Sequence, residues 1–414
     1  MTKTLLSIAT AAFLLQACKA DGGGTGATST NTGTGAATTP AAGGAAAPPK
    51  GAALRIGIIN SVTGPEAPIG EAMANGFALA EEDLKKAGIA VELIREDDTG
   101  KAPIAMSGME KLATRDEVVG VVGPYTSASS NAVARLAQRY KVPLLIPAAS
   151  KQDITKQGLT YVFRLNAPSE AYAGVVLDAA RALGKPKTVA LVYENTDFGT
   201  SAAQAARDYI AKNGLKVVID ESYSKGSPDY RSTLSRVKAA NADVIFMVSY
   251  VADAILLMRQ ARELRLSAQA FLGGGAGFAT TQFASERDIS EGVMSSTQWT
   301  DDVSWPGAKE WAVRYRNRFK TEPIYHAACA YESLRIMGET ASKAGADREK
   351  IREALKAGSW TGIMGDVKFE DYEGFTNQNK HQMLVIQIQG GKDVTVFPAQ
   401  WAAAKPVYPF PGWK

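Results

Sequence analysis

Short apolar runs alternate with helix-patterned stretches along most of this chain, and the alternation starts afresh partway through. That is the pattern of a parallel sheet covered by helices on both faces, built twice. The first set reads as strand 54–60, helix 72–87, strand 91–96, helix 104–114, strand 118–122, helix 128–140 and strand 143–146. The pattern breaks at Leu165-Asn166-Ala167-Pro168-Ser169. The second set reads as helix 170–183, strand 188–193, helix 202–212, strand 217–221, a further helix, strand 244–248, helix 253–262 and strand 270–273. Ser227-Pro228 is expected to open that further helix, with Ser227 as its cap and Pro228 at the first position. A strand at 292–297 then leads to helices 308–319, 327–344 and 348–357. Residues 383–389 and 394–397 read as a hairpin about Gly390-Gly391, and the Trp-rich tail after it is expected to pack on a lobe.

The front end sets the compartment. Leu5 to Leu15 is apolar apart from Ser7 and Thr10, and Lys3 is the only early charge. Such a run is long enough for the core of a signal peptide and too short to span a bilayer. It fits an ordinary signal peptide with an incidental cysteine. Leu15-Gln16-Ala17-Cys18 resembles the bacterial lipoprotein signal, which implies removal of residues 1–17 and a lipid on Cys18. Residues 21–50, most of the segment 18–50, are nearly all Gly, Ala, Thr and Pro, and cannot recover the entropy of ordering. They read as a tether reaching roughly 30 Å as a coil.

Composition excludes several classes. The net charge is +4 with no basic tract, so nucleic acid is not a partner. Beyond Cys18 the only cysteine is Cys329, on a helical pattern, which reads as a buried thiol. The two histidines, His326 and His381, lie far apart with no ligand cluster near them, which argues against zinc and against a histidine-based triad. No Gly-x-Ser-x-Gly elbow is present, and neither Ser127 nor Ser201 has an evident base. No dinucleotide or phosphate-loop signature follows the first strand, so no cofactor is expected, and Asp97-Asp98 reads as structural.

Ligands of open α/β sheets bind beyond the carboxyl ends of the strands. In the first lobe those ends carry Asn60 to Pro65, Gly123-Pro124-Tyr125-Thr126-Ser127 and Pro147-Ala148-Ala149-Ser150. In the second they carry Glu194 to Gly199, Ser249-Tyr250 and Gly273 to Gly277. Ser127 stands before a helix, where its hydroxyl and the free amides suit a carboxylate. It serves equally well as a plain N-cap, and Ser150 has the same ambiguity. Tyr125, Phe198 and Tyr250 offer aromatic faces from both lobes.

The leader, the two lobes and these loops together resemble the type I periplasmic binding proteins. The nearest group is the branched-chain amino acid (Leu/Ile/Val) substrate-binding component of ABC transporters. The resemblance runs over about 53–400, through Ile56-Gly57 to Pro65, Gly120 to Ser127, Val142 to Ser150, Tyr193 to Gly199, Leu257 to Ala261 and Gly362 to Phe369. It implies two similar doubly wound lobes joined by three crossings near Ala167, Gln298 and Gly374. Lobe 1 would combine 51–168 with 298–374, and lobe 2 would combine 169–297 with 375–414. It implies a carboxylate held at Ser127, Ala148 and Ser150, with rings matching Phe198 and Tyr250 closing from the second lobe. The acid that meets an amino acid's ammonium falls at Gly275, where it is missing; Asp197, Asp301 or Glu66 are the candidates to replace it. A glycine there would open room for an amine-free aromatic or aliphatic carboxylate. The implied protein is a monomeric, membrane-anchored periplasmic lipoprotein that closes on its ligand and delivers it to an ABC permease, without catalysis. A ligand-sensing receptor subunit is the rival reading.

Overall fold

The computed structural model describes residues 53–413. The leader, Cys18 and the tether therefore lie outside the described residues. The first strands are β1 (Leu54–Asn60), β2 (Val91–Asp97), β3 (Gly120–Val122), β4 (Leu144–Ile146) and β5 (Val162–Arg164). Next come β6 (Thr188–Glu194), β7 (Lys216–Tyr223), β8 (Val244–Val248), β9 (Ala270–Gly273) and β10 (Met294–Thr297). After a run of helices come β11 (Ser359–Gly362), β12 (Gly365–Tyr372), β13 (Phe375–Asn379), β14 (Leu384–Gln389) and β15 (Lys392–Phe397).

They form two sheets, one per lobe, ordered β11-β12-β13-β5-β4-β3-β1-β2 and β15-β14-β10-β9-β8-β6-β7. The runs β2-β1-β3-β4-β5 and β7-β6-β8-β9-β10 have the same order, and both are parallel. Central strands β3, β4 and β8 are buried at every residue, because helices cover both faces. Edge strand β2 is only partly buried, as its mixed sequence requires. Each sheet also carries antiparallel pairs, β11–β12 and β12–β13 in one, β14–β10 and β14–β15 in the other. The lobes are thus parallel-dominated and mixed rather than wholly parallel.

The third crossing differs from the sequence expectation. β13 pairs in parallel with β5, so residues 375–379 belong to the first sheet and the chain leaves it after Asn379, not near Gly374. Side-chain amides tie the three crossings together. Gln298 Oε1 accepts from the Ala167 amide at 2.8 Å, and Gln378 Nε2 donates to the Asn166 carbonyl at 2.7 Å. Asn379 Nδ2 donates to the Leu165 carbonyl at 3.1 Å, and His381 Nε2 donates to the Gln298 carbonyl at 2.6 Å. Buried backbone groups at irregular crossings need such partners.

Helix Tyr325–Ala344 packs on helix Ala67–Lys86 of the first lobe. Gly76 permits the contact: a Cβ there would lie 2.2 Å from the Ala327 carbonyl oxygen. Cys329 on that helix is buried, and burial pushes its thiol well above the ordinary range. The expected cap at Ser227 is not formed. The helix begins at Arg231, and the Ser227 hydroxyl donates to the Asp229 carbonyl instead. The tail lies on the second lobe, with Phe271 meeting Phe410 at 4.9 Å and Trp413 at 5.1 Å between ring centroids.

Candidate functional site

The order 2-1-3-4-5 reverses between β1 and β3, and the second sheet repeats this between β6 and β8. A crevice at such a reversal is where an open α/β sheet receives ligand. The loops after β3 and β4 of one lobe and after β6 and β8 of the other close on a cavity of about 10 Å³, room for about one water. Tyr125, Ser127, Ala148, Ala149, Ser150, Phe198 and Tyr250 all line it.

Capping decides the role of Ser127. Thr126, not Ser127, is the N-cap of helix Ser127–Tyr140, its hydroxyl accepting from the Ser129 amide at 3.2 Å. Ser127 is therefore the first helical residue. Its Oγ accepts from the Lys151 amide at 3.3 Å, which leaves its own proton for another acceptor. Ser150 is buried, with its carbonyl receiving the Ser169 amide at 2.8 Å. Beneath this loop lies Arg164, fully buried, an element that strand-end reading missed. Its guanidinium donates to the Lys151 carbonyl at 2.6 Å, to Thr155 Oγ1 at 2.8 Å and to Gln378 Oε1 at 2.6 Å. Burial pulls it down to about 9, still charged at neutral pH, and it forms no salt bridge. A buried cation under the Ser150 loop makes that end of the cavity favourable for an anion.

The aromatic walls come from both lobes. Tyr250 lies 5.2 Å from Phe198 and 5.8 Å from Tyr125 between ring centroids. Tyr172, Ala276, Tyr325 and His326 complete the lining and were not singled out from sequence. Tyr325 and His326 open a helix and follow no strand, so the strand-end rule could not find them.

Gly275 does not open room. It has φ +82°, and a Cβ there would meet the Tyr172 ring at 2.6 Å. The space where an acid would stand is filled by that ring. The three proposed substitutes are already engaged: Asp197 with Lys151 at 2.9 Å, Asp301 with Arg316, and Glu66 with Lys225. Among the described residues no carboxylate lines the cavity. Asp97 and Asp98 are structural: Asp97 Oδ1 accepts from the Val62 and Thr99 amides, and Asp98 Oδ1 from Ser61 Oγ and the Gly100 amide.

Glu194 stands behind Tyr250, fully buried, with Oε2 accepting from the Tyr250 amide at 2.9 Å and Oε1 from Thr196 at 2.6 Å. Burial raises its carboxyl from 4.5 to about 7, against the pull of these bonds and of Lys225. The folded value lies above the unfolded one. Its contribution to stability is therefore full below about 4.5 and lost as pH rises through about 7. Glu194→Gln is expected to gain on the wild type by up to about 3 kcal/mol across that window. Denaturant unfolding at several pH values checks this, and a difference independent of pH would refute it.

Two α/β lobes with loops closing over a shared crevice have the form of a solute-binding protein, and the comparisons with known proteins agree. The chain belongs to the periplasmic binding protein family, whose model matches residues 53–393. A curated relative, the Leu/Ile/Val-binding protein homolog 7 of Brucella suis, is 28% identical over 376 residues, covering 85% of this chain and 93% of its own. The fold is shared with the branched-chain amino acid substrate-binding protein LivJ of Streptococcus pneumoniae in complex with isoleucine (TM-score 0.76, 24% identity, 86% of this chain and 100% of that one). It is also shared with a solute-binding protein of R. palustris in complex with 4-hydroxybenzoate (TM-score 0.75, 20% identity, 88% and 98%).

Proposed function

We propose that this protein captures a small carboxylate that lacks an amine, closes on it, and hands it to an ABC permease. The observation that carries this reading is the cavity lining: two serine hydroxyls, a helix-first amide and aromatic faces, with no acid to receive an ammonium. The ligand's carboxylate would take the Ser127 backbone amide and the Ser127 and Ser150 hydroxyls. Binding then requires the lobes to part, since the closed cavity holds about one water. The rings favour an aromatic acid, in keeping with the 4-hydroxybenzoate bound by one fold neighbour.

Native mass spectrometry of the purified protein, followed by denaturation, tests the class: an amine-free carboxylate should be released, and leucine or isoleucine would overturn that part. Ser127→Ala is expected to weaken benzoate binding by about tenfold or more, the worth of a hydrogen bond to a charged group. Unchanged affinity by calorimetry would remove Ser127 from the site.

A second reading, an amino acid ligand, is favoured by the names of the relatives and by Glu66 and Glu194 buried close behind Tyr250. It would need Tyr250 to swing away. The export and anchoring reading joins the same proposal: Cys18 carries lipid and residues 18–50 hold the binding lobes off the membrane. Cys18→Ala should release the protein from the membrane fraction.

A further inference from the structure

Two polar groups at the cavity have no partner. The Tyr125 hydroxyl and both ring nitrogens of His326 are buried without a hydrogen bond, at 3% and 1% residue exposure. Buried polar groups are nearly always satisfied, and an orphan at a binding cavity marks what the ligand brings. The two rings meet edge-on, 5.3 Å between centroids, so one ligand group can reach both. Resting on the carboxylate reading above, we infer that Tyr125 and His326 are the second recognition point of the cavity and take a hydroxyl of a hydroxylated aromatic carboxylate.

The chemistry selects a hydroxyl. A neutral imidazole offers one donor and one acceptor, and a phenol offers both. A hydroxyl donates and accepts, so it can satisfy both residues at once. A second carboxylate accepts only and would need a cation, which a fully buried imidazole is poorly placed to become. An ammonium donates only and finds no acid in the lining; the Tyr250 ring is already faced by the Lys225 ammonium, 4.1 Å from its centroid. The walls around the pair are aromatic, with the Tyr325 ring stacked on His326 at 3.8 Å, which suits a flat ring.

The test is calorimetry with benzoate and its 3- and 4-hydroxy forms on the wild type, Tyr125→Phe and His326→Leu. At least one hydroxylated form is expected to bind the wild type tenfold or more tighter than benzoate. Tyr125→Phe should erase most of that advantage, read as the ratio of the hydroxylated form's affinity to that of benzoate for the same variant. It should also hold or raise the Tm of the ligand-free protein, because it removes an unsatisfied buried group. His326→Leu should act in the same direction, and Tyr125→Phe decides if it fails to fold. If benzoate binds and hydroxyls add nothing, or the advantage survives both variants, the inference is overturned while the carboxylate reading stands. If no member of the series binds and leucine does, the carboxylate reading falls and takes the inference with it.

Discussion

Lys225→Met is expected to weaken ligand binding by about two orders of magnitude while leaving the Tm of the ligand-free protein far less changed. Lys225 comes from the second lobe and pairs with Glu66 of the first, whose side chain is 3% exposed. Burial already pushes the Glu66 carboxyl up, against the pull of Lys225, and Asp253 and Asp98 push the same way. Removing the lysine leaves a buried carboxylate with acids as its neighbours. Breaking such a pair costs about 3 kcal/mol, which is about a hundredfold in an equilibrium. The cost falls on the closed form alone, because parting the lobes lets water reach Glu66. Affinity for the co-purifying ligand and the Tm of the stripped protein separate the two effects. Equal losses in both would mean that the pair serves the fold and not closure. Glu66→Gln on the Lys225→Met background should restore most of the affinity, since a neutral amide there needs no counter-ion. Lys225→Arg should retain it.

Much of this architecture was readable in sequence wherever apolar runs and helical periodicity were strong. β1, β8 and β9 and the helices at 308–319 and 348–357 fall where pattern places them. The elements that escaped share a physical trait. β5 is only three residues long, and β13 reads Phe-Thr-Asn-Gln-Asn, which is polar and looks like a loop. Its Gln378 and Asn379 are buried because they satisfy backbone at the crossings, a role that hydrophobic pattern cannot express. The third crossing near Gly374 was implied by the family resemblance, and the pairing of β13 with β5 moves it past Asn379. The candidate site divides in the same way. Residues at strand ends were found by rule, from Tyr125 through Tyr250. Tyr172, Tyr325 and His326 reach the cavity from helices, and Arg164 works from beneath it. Only the assembled lobes bring these together. The ambiguity at Ser127 was settled by one hydrogen bond, from the Ser129 amide to Thr126 Oγ1, which makes Thr126 the cap.

Restoring an acid at Gly275 is expected to destabilise the protein by about 4 kcal/mol and to confer no affinity for leucine. The backbone there has φ +82° and ψ −148°, a region essentially restricted to glycine and costing about 1–3 kcal/mol for other residues. A Cβ would also stand 2.6 Å from Cε1 and 2.8 Å from Cδ1 of Tyr172. Overpacking of that kind adds about 1–3 kcal/mol. The ring cannot simply move aside. Its hydroxyl donates to Asn166 Oδ1 at 2.9 Å and receives from Gln298 Nε2 at 2.6 Å, so it is fastened to two of the three crossings. For a domain of this size the Tm of Gly275→Asp should fall by roughly 5–10 °C, measured by calorimetry. A variant as stable as the wild type that gains leucine binding would show that the loop can adopt the acid-bearing geometry after all. Tyr172→Phe separates the two causes. It frees the ring from the crossings but keeps its bulk, so Gly275→Asp on that background should recover part of the stability if the clash dominates and none if the backbone does. Either result bears on ligand class, because a side chain at 275 would have to enter the space that the Tyr172 ring now fills.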